Sequence, residues 1–261
     1  MPTRRQLLLG AGFCVLGAGT TAVAGARQSQ AGGRNGRTTS PASRRAADRR
    51  AVSRVSTEQP VVALTFDDGP DPQFTPGVLD ILSRRDIRAT FFVIGRNAAK
   101  HHDLIHRMLR EGHVVANHTQ DHPWLDELDR SAVQKQVSGG MATLGAIGAH
   151  GDALFRPPRG WTSRTVAEVV NGSGLRSIFW SDCIEARLHD GVRPGAEALV
   201  GHAGPGSIIL CHDGGSLDGP NAQHIDRSRT VETLPLMLDG LERNGLRAIT
   251  LPELLRSGRP I

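Results

Sequence analysis

Val61-Val62-Ala63-Leu64-Thr65-Phe66-Asp67-Asp68-Gly69-Pro70 is an apolar run that ends in two adjacent carboxylates. The run is rich in branched residues and too short for a helix, so it reads as a buried strand. Gly69-Pro70 then forces a turn, because glycine permits positive φ and proline fixes its own. Two acids therefore sit side by side where a strand leaves the core. Like charges that close oppose each other's ionisation, and a metal ion or a cationic partner would remove the conflict.

Outward from this stretch, apolar strand-like runs alternate with helical patterns. Strands are expected at 61–66, 89–94, 113–117, 153–156, 176–181, 207–211 and 247–250. Helices are expected near 74–84, 98–111, 130–147, 163–172, 195–202, 229–244 and 252–257. Strands alternating with helices imply a parallel sheet with right-handed crossovers. The expected fold class is α/β: a single, distorted (β/α) barrel of about seven parallel strands. In such barrels the active site forms at the C-terminal ends of the strands. Polar residues collect at those ends: Asp67-Asp68, His118, Arg156, Asp182 and His212.

The chain of 261 residues carries a formal charge of +5, but the charge is uneven. It begins with Arg4-Arg5, an apolar and small-residue stretch, and Ala22-Val23-Ala24. This pattern describes a twin-arginine-type export signal over residues 1–26. Residues 27–54 hold eight arginines against one aspartate with little that could pack. Residues 27–58 are expected to be a basic, disordered linker. The remainder, 59–261, is the expected catalytic domain. It is mildly acidic and offers no nucleic-acid surface. The expected location is outside the cytoplasm, secreted or held at the cell envelope, as a monomer. Cys183 and Cys211 could form a disulfide in an exported protein, or remain two buried thiols.

Two histidines four apart, in His118-Thr119-Gln120-Asp121-His122, can meet one metal. Joined to the strand-end acids they suggest a zinc site of two imidazoles and one carboxylate, with a position left open. Phe155-Arg156-Pro157-Pro158-Arg159-Gly160-Trp161 is a rigid loop after the fourth strand, whose Arg156 could pair with a strand-end carboxylate. His212 ends Ile208-Ile209-Leu210-Cys211-His212 on the same face as Leu210 and is a candidate general acid. His101, His102 and His106 read as solvent-facing.

Taken in order, these residues resemble the polysaccharide deacetylases, the NodB-homology domain of carbohydrate esterases, from about residue 60 to 256. Thr65–Pro70 is similar to the family's first motif, His118–His122 to its second, Arg156–Gly160 to its third and Leu210–His212 to its fifth. The resemblance implies that Asp68, His118 and His122 bind a divalent metal, usually zinc. It implies that Asp67 is the general base acting on water, that Arg156 orients Asp67, and that His212 protonates the leaving nitrogen. Leu210 would line the pocket for the acetyl methyl, and a backbone N–H of the third-motif loop would help hold the oxyanion.

Two positions depart from the family. Arg159 stands where many members have tyrosine, and it could contact an anionic part of the glycan. Trp161 or Trp180 could supply an apolar or sugar-stacking wall. The fourth motif, usually two aspartates before a tryptophan, is here Phe179-Trp180-Ser181-Asp182-Cys183-Ile184-Glu185. Asp182 is the first candidate for the acid that supports His212, and Glu185 the second. The expected activity is removal of N-acetyl groups from N-acetylhexosamine units of a polysaccharide, peptidoglycan or chitin-type. O-deacetylation of a xylan-like glycan and a catalytically impaired glycan-binding domain are the alternatives.

Overall fold

The computed structural model describes residues 48, 50–215 and 225–261. The expected export signal and most of the expected linker lie outside the described residues. The linker's C-terminal end does not behave as expected. Val52 and Val55 are buried, and β1 (Val55–Ser56) pairs antiparallel with β10 (Arg259–Pro260). The folded domain therefore begins near residue 50, eight or nine residues before the expected boundary. The reason is the apolar pair three residues apart in Ala51-Val52-Ser53-Arg54-Val55, which packs under the barrel with Val61, Ile178 and Ile249.

The main sheet is parallel throughout and centred on β2 (Val61–Asp67), every residue of which is buried. Around it lie β3 (Thr90–Val93), β4 (Val114–Asn117), β5 (Leu154–Phe155), β6 (Arg176–Ser177), β7 (Asp182–Cys183), β8 (Ile208–His212) and β9 (Arg247–Ile249). Their order is β6-β5-β4-β3-β2-β8-β7, with β9 also paired to β2. Side chains alternate across a strand. Val62, Leu64 and Phe66 join the layer under the helices, where Phe66 stacks on Phe91 of β3 at 4.9 Å between ring centroids. Val61 and Ala63 face inward with Phe92, Ala116, Leu154 and Ile208. Thr65 and Asp67 have the inward parity too, so the barrel interior turns polar toward the strands' C-terminal ends. No helix among the described residues is long and apolar enough to cross a membrane.

Two expected elements are split. The strand expected at 176–181 stops at Ser177 and resumes as β7 at Asp182. Between them the chain crosses the gap between the two edge strands. Ile178 N–H donates to Phe155 O at 2.8 Å, and Ser181 N–H to Ile208 O at 3.0 Å. This irregular crossing closes the barrel and is its distortion. The helix expected at 98–111 is broken at His101 (φ −125, ψ 47) into Gly95–Lys100 and His102–Arg110. The break lets the first piece dock on the second-motif loop, through Gly95 N–H to Thr119 O and Arg96 N–H to Gln120 O, both 2.9 Å. A Cβ on Gly95 would lie 2.3 Å from Gln120 Oε1 and 3.3 Å from Gln120 Cα, so a larger residue would push the Gln120 side chain aside. The helix expected at 130–147 is found at Arg130–Ala146, capped by Asp129, whose carboxylate accepts from Ala132 N–H.

Cys211 is a free, buried thiol, so it does not bridge to Cys183. Cys183 is in register with Leu210, and one residue later Cys211 faces the opposite side of the sheet.

His113, just before β4, sets a pH limit on this fold. It is buried, its Nδ1 accepts Ala89 N–H at 3.1 Å, and burial pushes its pKa down to about 4 from 6.5. Between those values the unfolded chain binds the proton and the folded one does not. Stability is therefore lost as pH falls through that window, by up to about 3 kcal/mol. Urea melts at pH 7.5 and pH 5 are expected to show the loss, and His113→Asn to flatten it. An unchanged pH slope in that variant would contradict the assignment.

Candidate active site

The two acids that open the site do not share a backbone conformation. Asp67 is the last residue of β2 and points inward. Asp68 has φ 73, in the left-handed region. Sequence places the break at the Gly69-Pro70 turn; the structure places it one residue earlier, at Asp68. The reversal cancels strand alternation and brings both carboxylates into one site. It is held by neighbours. Asn97 Nδ2 donates to Asp68 O at 3.0 Å, and Gly214 packs so closely that a Cβ there would lie 2.6 Å from Asp68 O.

Asp67 is paired with Arg156, whose NH1 lies 2.6 Å from Asp67 Oδ1. Arg156 is wholly buried inside the barrel. Its NH1 also donates to Thr65 Oγ1 at 3.0 Å, its Nε to Ile178 O at 3.3 Å and its NH2 to Phe179 O at 3.1 Å. The guanidinium lies 4.1 Å from the centroid of the Phe92 ring. A buried charge is tolerated when it is paired and its donors are satisfied. The irregular crossing after β6 supplies the carbonyls that do this.

Asp68, His118 and His122 form one buried cluster able to hold a metal ion. Asp68 Oδ1 lies 3.4 Å from His118 Nε2 and 3.1 Å from His122 Nε2. His118 Nδ1 is 2.6 Å from Arg156 O, which can only accept, so the ring carries its proton there and Nε2 presents a lone pair. Burial works to raise the Asp68 pKa, but the His122 charge and contacts with both imidazoles bring it well below the usual carboxylate range. An ionised oxygen and a neutral imidazole nitrogen are the donors a divalent cation of zinc's type takes. The residues present fit the metal. The second-motif loop makes a tight bend to bring both rings in, with Thr119 at φ 73 and His122 at φ 63. Asn117 Oδ1 accepts Thr119 N–H at 2.8 Å, and Thr119 Oγ1 accepts His122 N–H at 3.0 Å.

His212 ends β8 directly opposite Asp67, its Cα partner on the adjacent strand. Leu210, one layer below, is buried opposite Thr65. The acid that supports His212 is Glu185. Its Oε2 lies 3.1 Å from His212 Nδ1, and its Oε1 accepts His212 N–H and Thr230 Oγ1–H, each at 2.9 Å. Burial pulls the His212 pKa down, and the Glu185 carboxylate more than restores it, leaving it raised. Burial would raise Glu185 in turn, but His212, and then Arg227, hold it below the usual glutamate range.

The expectation that Asp182 supports His212 is thus corrected in favour of Glu185. Asp182 pairs in register with Ile209, on the helix-facing side of the sheet. There its carboxylate contacts His202 Nδ1 and accepts from Ser181 Oγ at 2.8 Å.

Arg159 takes a bracing position. Its NH1 donates to His122 O at 3.0 Å, and its guanidinium stacks 4.3 Å from the centroid of Trp124. Trp124 is 41% exposed and lies 6.0 Å from the half-buried Trp161. Sequence reading missed Trp124, whose only signal was an exposed indole two residues after a metal-type histidine. It also missed Arg227 and Asp213. Asp213 is buried beneath Gly69 and accepts from Thr75 Oγ1 at 2.6 Å. Burial, with repulsion from Asp68, pushes its pKa up to about 7. His102 and His106 are exposed, as expected.

A family model described as polysaccharide deacetylase matches residues 54–178. A peptidoglycan-N-acetylglucosamine deacetylase of Bacillus cereus is 35% identical over 206 residues, covering 77% of this chain and 91% of that protein. A chitooligosaccharide deacetylase of Sinorhizobium fredii is 40% identical over 210 residues, covering 78% and 96%. Among solved structures, the Bc1960 peptidoglycan N-acetylglucosamine deacetylase superposes with a TM-score of 0.70 at 28% identity, covering 81% of this chain and 95% of that one. A family 4 carbohydrate esterase from Streptomyces lividans, in complex with acetate, gives 0.65 at 27% identity, covering 79% and 98%.

Proposed function

The chain belongs to the polysaccharide deacetylase family, and from this we propose that it removes N-acetyl groups from N-acetylhexosamine units of peptidoglycan or a chitin-type glycan. The observation that carries the reading is the constellation at one end of the barrel. A three-residue metal cluster, an arginine-paired aspartate and a glutamate-supported histidine converge there.

Asp68, His118 and His122 would hold the metal, with zinc the proposed ion. When bound, it supplies a Lewis acid that polarises the acetyl carbonyl and lowers the pKa of water. Asp67 takes a proton from the attacking water at its Oδ2, while Arg156 holds Oδ1. His212 passes its proton to the departing nitrogen, with Glu185 keeping the imidazolium available. An amide needs this last step, because an unprotonated amine leaves poorly. Leu210 provides an apolar wall for the acetyl methyl. Trp124 and Trp161 offer faces on which a pyranose ring can stack. We also propose export by the twin-arginine machinery, placing the enzyme beside a cell-envelope glycan, and action as a monomer.

The test is acetate release by the zinc-loaded protein from peptidoglycan, chitin oligomers and acetylated xylan. Release from the first or second is expected. Release from xylan alone would change the bond to an ester. No release from any of them, with zinc confirmed bound, would leave a glycan-binding domain.

A further inference from the structure

The adjacent acids each have an arginine of their own. Arg156 reaches Asp67 from the end of β5. From the opposite side Arg227 reaches Asp68, its NH2 lying 3.4 Å from Asp68 Oδ2, with both side chains 9% exposed. Its Nε donates to Gly214 O at 2.8 Å, the residue that packs on the Asp68 carbonyl.

The two oxygens of Asp68 are thereby separated. Oδ1 faces both imidazole nitrogens, and Oδ2 faces the guanidinium. Arg227 stands where helix propensity argues against it. It immediately precedes the helix Ser228–Arg243, and its carbonyl accepts from Thr230 and Val231 N–H at 3.0 and 3.2 Å. A cation is disfavoured at a helix N-terminus, where the free N–H groups already carry positive charge. Its contacts in this buried position are with Asp68 and Gly214, and its charge also pulls Glu185 down.

We propose that Arg227 is a positioning residue that reserves the outer oxygen of Asp68, so that this carboxylate offers a metal only Oδ1. A zinc site that must take both water and a substrate carbonyl needs coordination positions to spare. An aspartate free to swing would fill one of them with its second oxygen. The inference rests on the deacetylase reading for its benefit, but its test needs no glycan.

Arg227→Met frees Oδ2 and removes a repelling charge near the metal. The full chain is loaded with cobalt(II), and zinc affinity is measured by competition with a chromophoric chelator. The cobalt visible band is expected to weaken, because a bidentate carboxylate raises the coordination number. Zinc affinity is expected to hold or rise while turnover falls by about 10–100-fold. A merely structural residue would lower affinity and turnover together, so that outcome overturns the proposal, as does an unchanged cobalt band. Arg227→Lys covers the case in which the methionine variant does not fold. It keeps the charge but loses the fork that grips Gly214 O and Oδ2 at once. A partly weakened band is expected there, and a parental one overturns the proposal. Failure of acetate release in the wild-type protein would strike the function and leave these metal readouts standing.

Discussion

Asp67→Asn is expected to cut acetate release by about 10²–10⁴-fold, the range a positioned general base contributes. Zinc binding should stay within a few-fold of wild type, because Asp67 is not among the three cluster residues. The same substitution removes the charge that neutralises Arg156, which is wholly buried. Breaking one side of a buried ion pair costs roughly 3–5 kcal/mol, less here by what the amide oxygen still accepts from the guanidinium. The expected signature is thus a fall in melting temperature together with lost turnover and retained metal. His118→Ala should reverse the pattern by losing metal affinity first. A near wild-type rate in Asp67→Asn would remove Asp67 from the role of base.

Glu185→Gln is expected to act through His212. The sign follows from the environment. Burial lowers the His212 pKa and the Glu185 carboxylate raises it above its ordinary value. An acid must be protonated to give a proton, so the raised value keeps His212 competent at higher pH. With glutamine at 185 the main influence that raises the pKa is gone, while burial and the Arg227 charge still lower it. The basic limb of the kcat/KM profile should move to lower pH. Turnover at pH 8 should drop by about 10–100-fold, since each unit of lost pKa removes about tenfold of the protonated form above it. Asp182→Asn is the control, because Asp182 contacts His202 and Ser181. It should leave the basic limb in place. The opposite result, with Asp182→Asn shifting the limb and Glu185→Gln not, would restore the fourth-motif reading suggested by sequence.

That contrast marks where the sequence was legible. The sheet could be read because parallel strands buried on both faces become apolar runs with a polar residue at the exit. Val61–Asp67 and Ile208–His212 both have this form. Asp67, Asp68, His118 and Arg156 could be read because each lies at or next to such an exit, and His122 because it follows His118 by four residues. Sequence places Glu185 second to Asp182. Ser177-Ile178-Phe179-Trp180 looks like strand, yet Ile178 and Phe179 are buried by the crossing that closes the barrel rather than by ladder pairing. Once the chain re-enters at Asp182, the parity of every later residue changes. Arg227 left no trace in local pattern. It follows His212 by fifteen residues and meets Asp68 only because the helix after it packs back onto the barrel. The start of the domain was misplaced for a similar reason. Val52 and Val55 are too few to signal a strand, and their partners, Ile178 and Pro260, are far away in sequence.

The register of β2 with β8 sets Asp67 and His212 on one rung of a ladder. The backbones that carry the proposed base and acid are therefore set apart by the pitch of the sheet itself, about 4.8 Å. Side chains in the layer beneath the helices, such as Phe66 and Phe91, hold the sheet down without entering that measurement. Trimming them weakens the fold but leaves the ruler intact. That layer can be altered while the chemistry is kept, whereas the Asp67–Arg156 pair on the rung serves fold and chemistry at once.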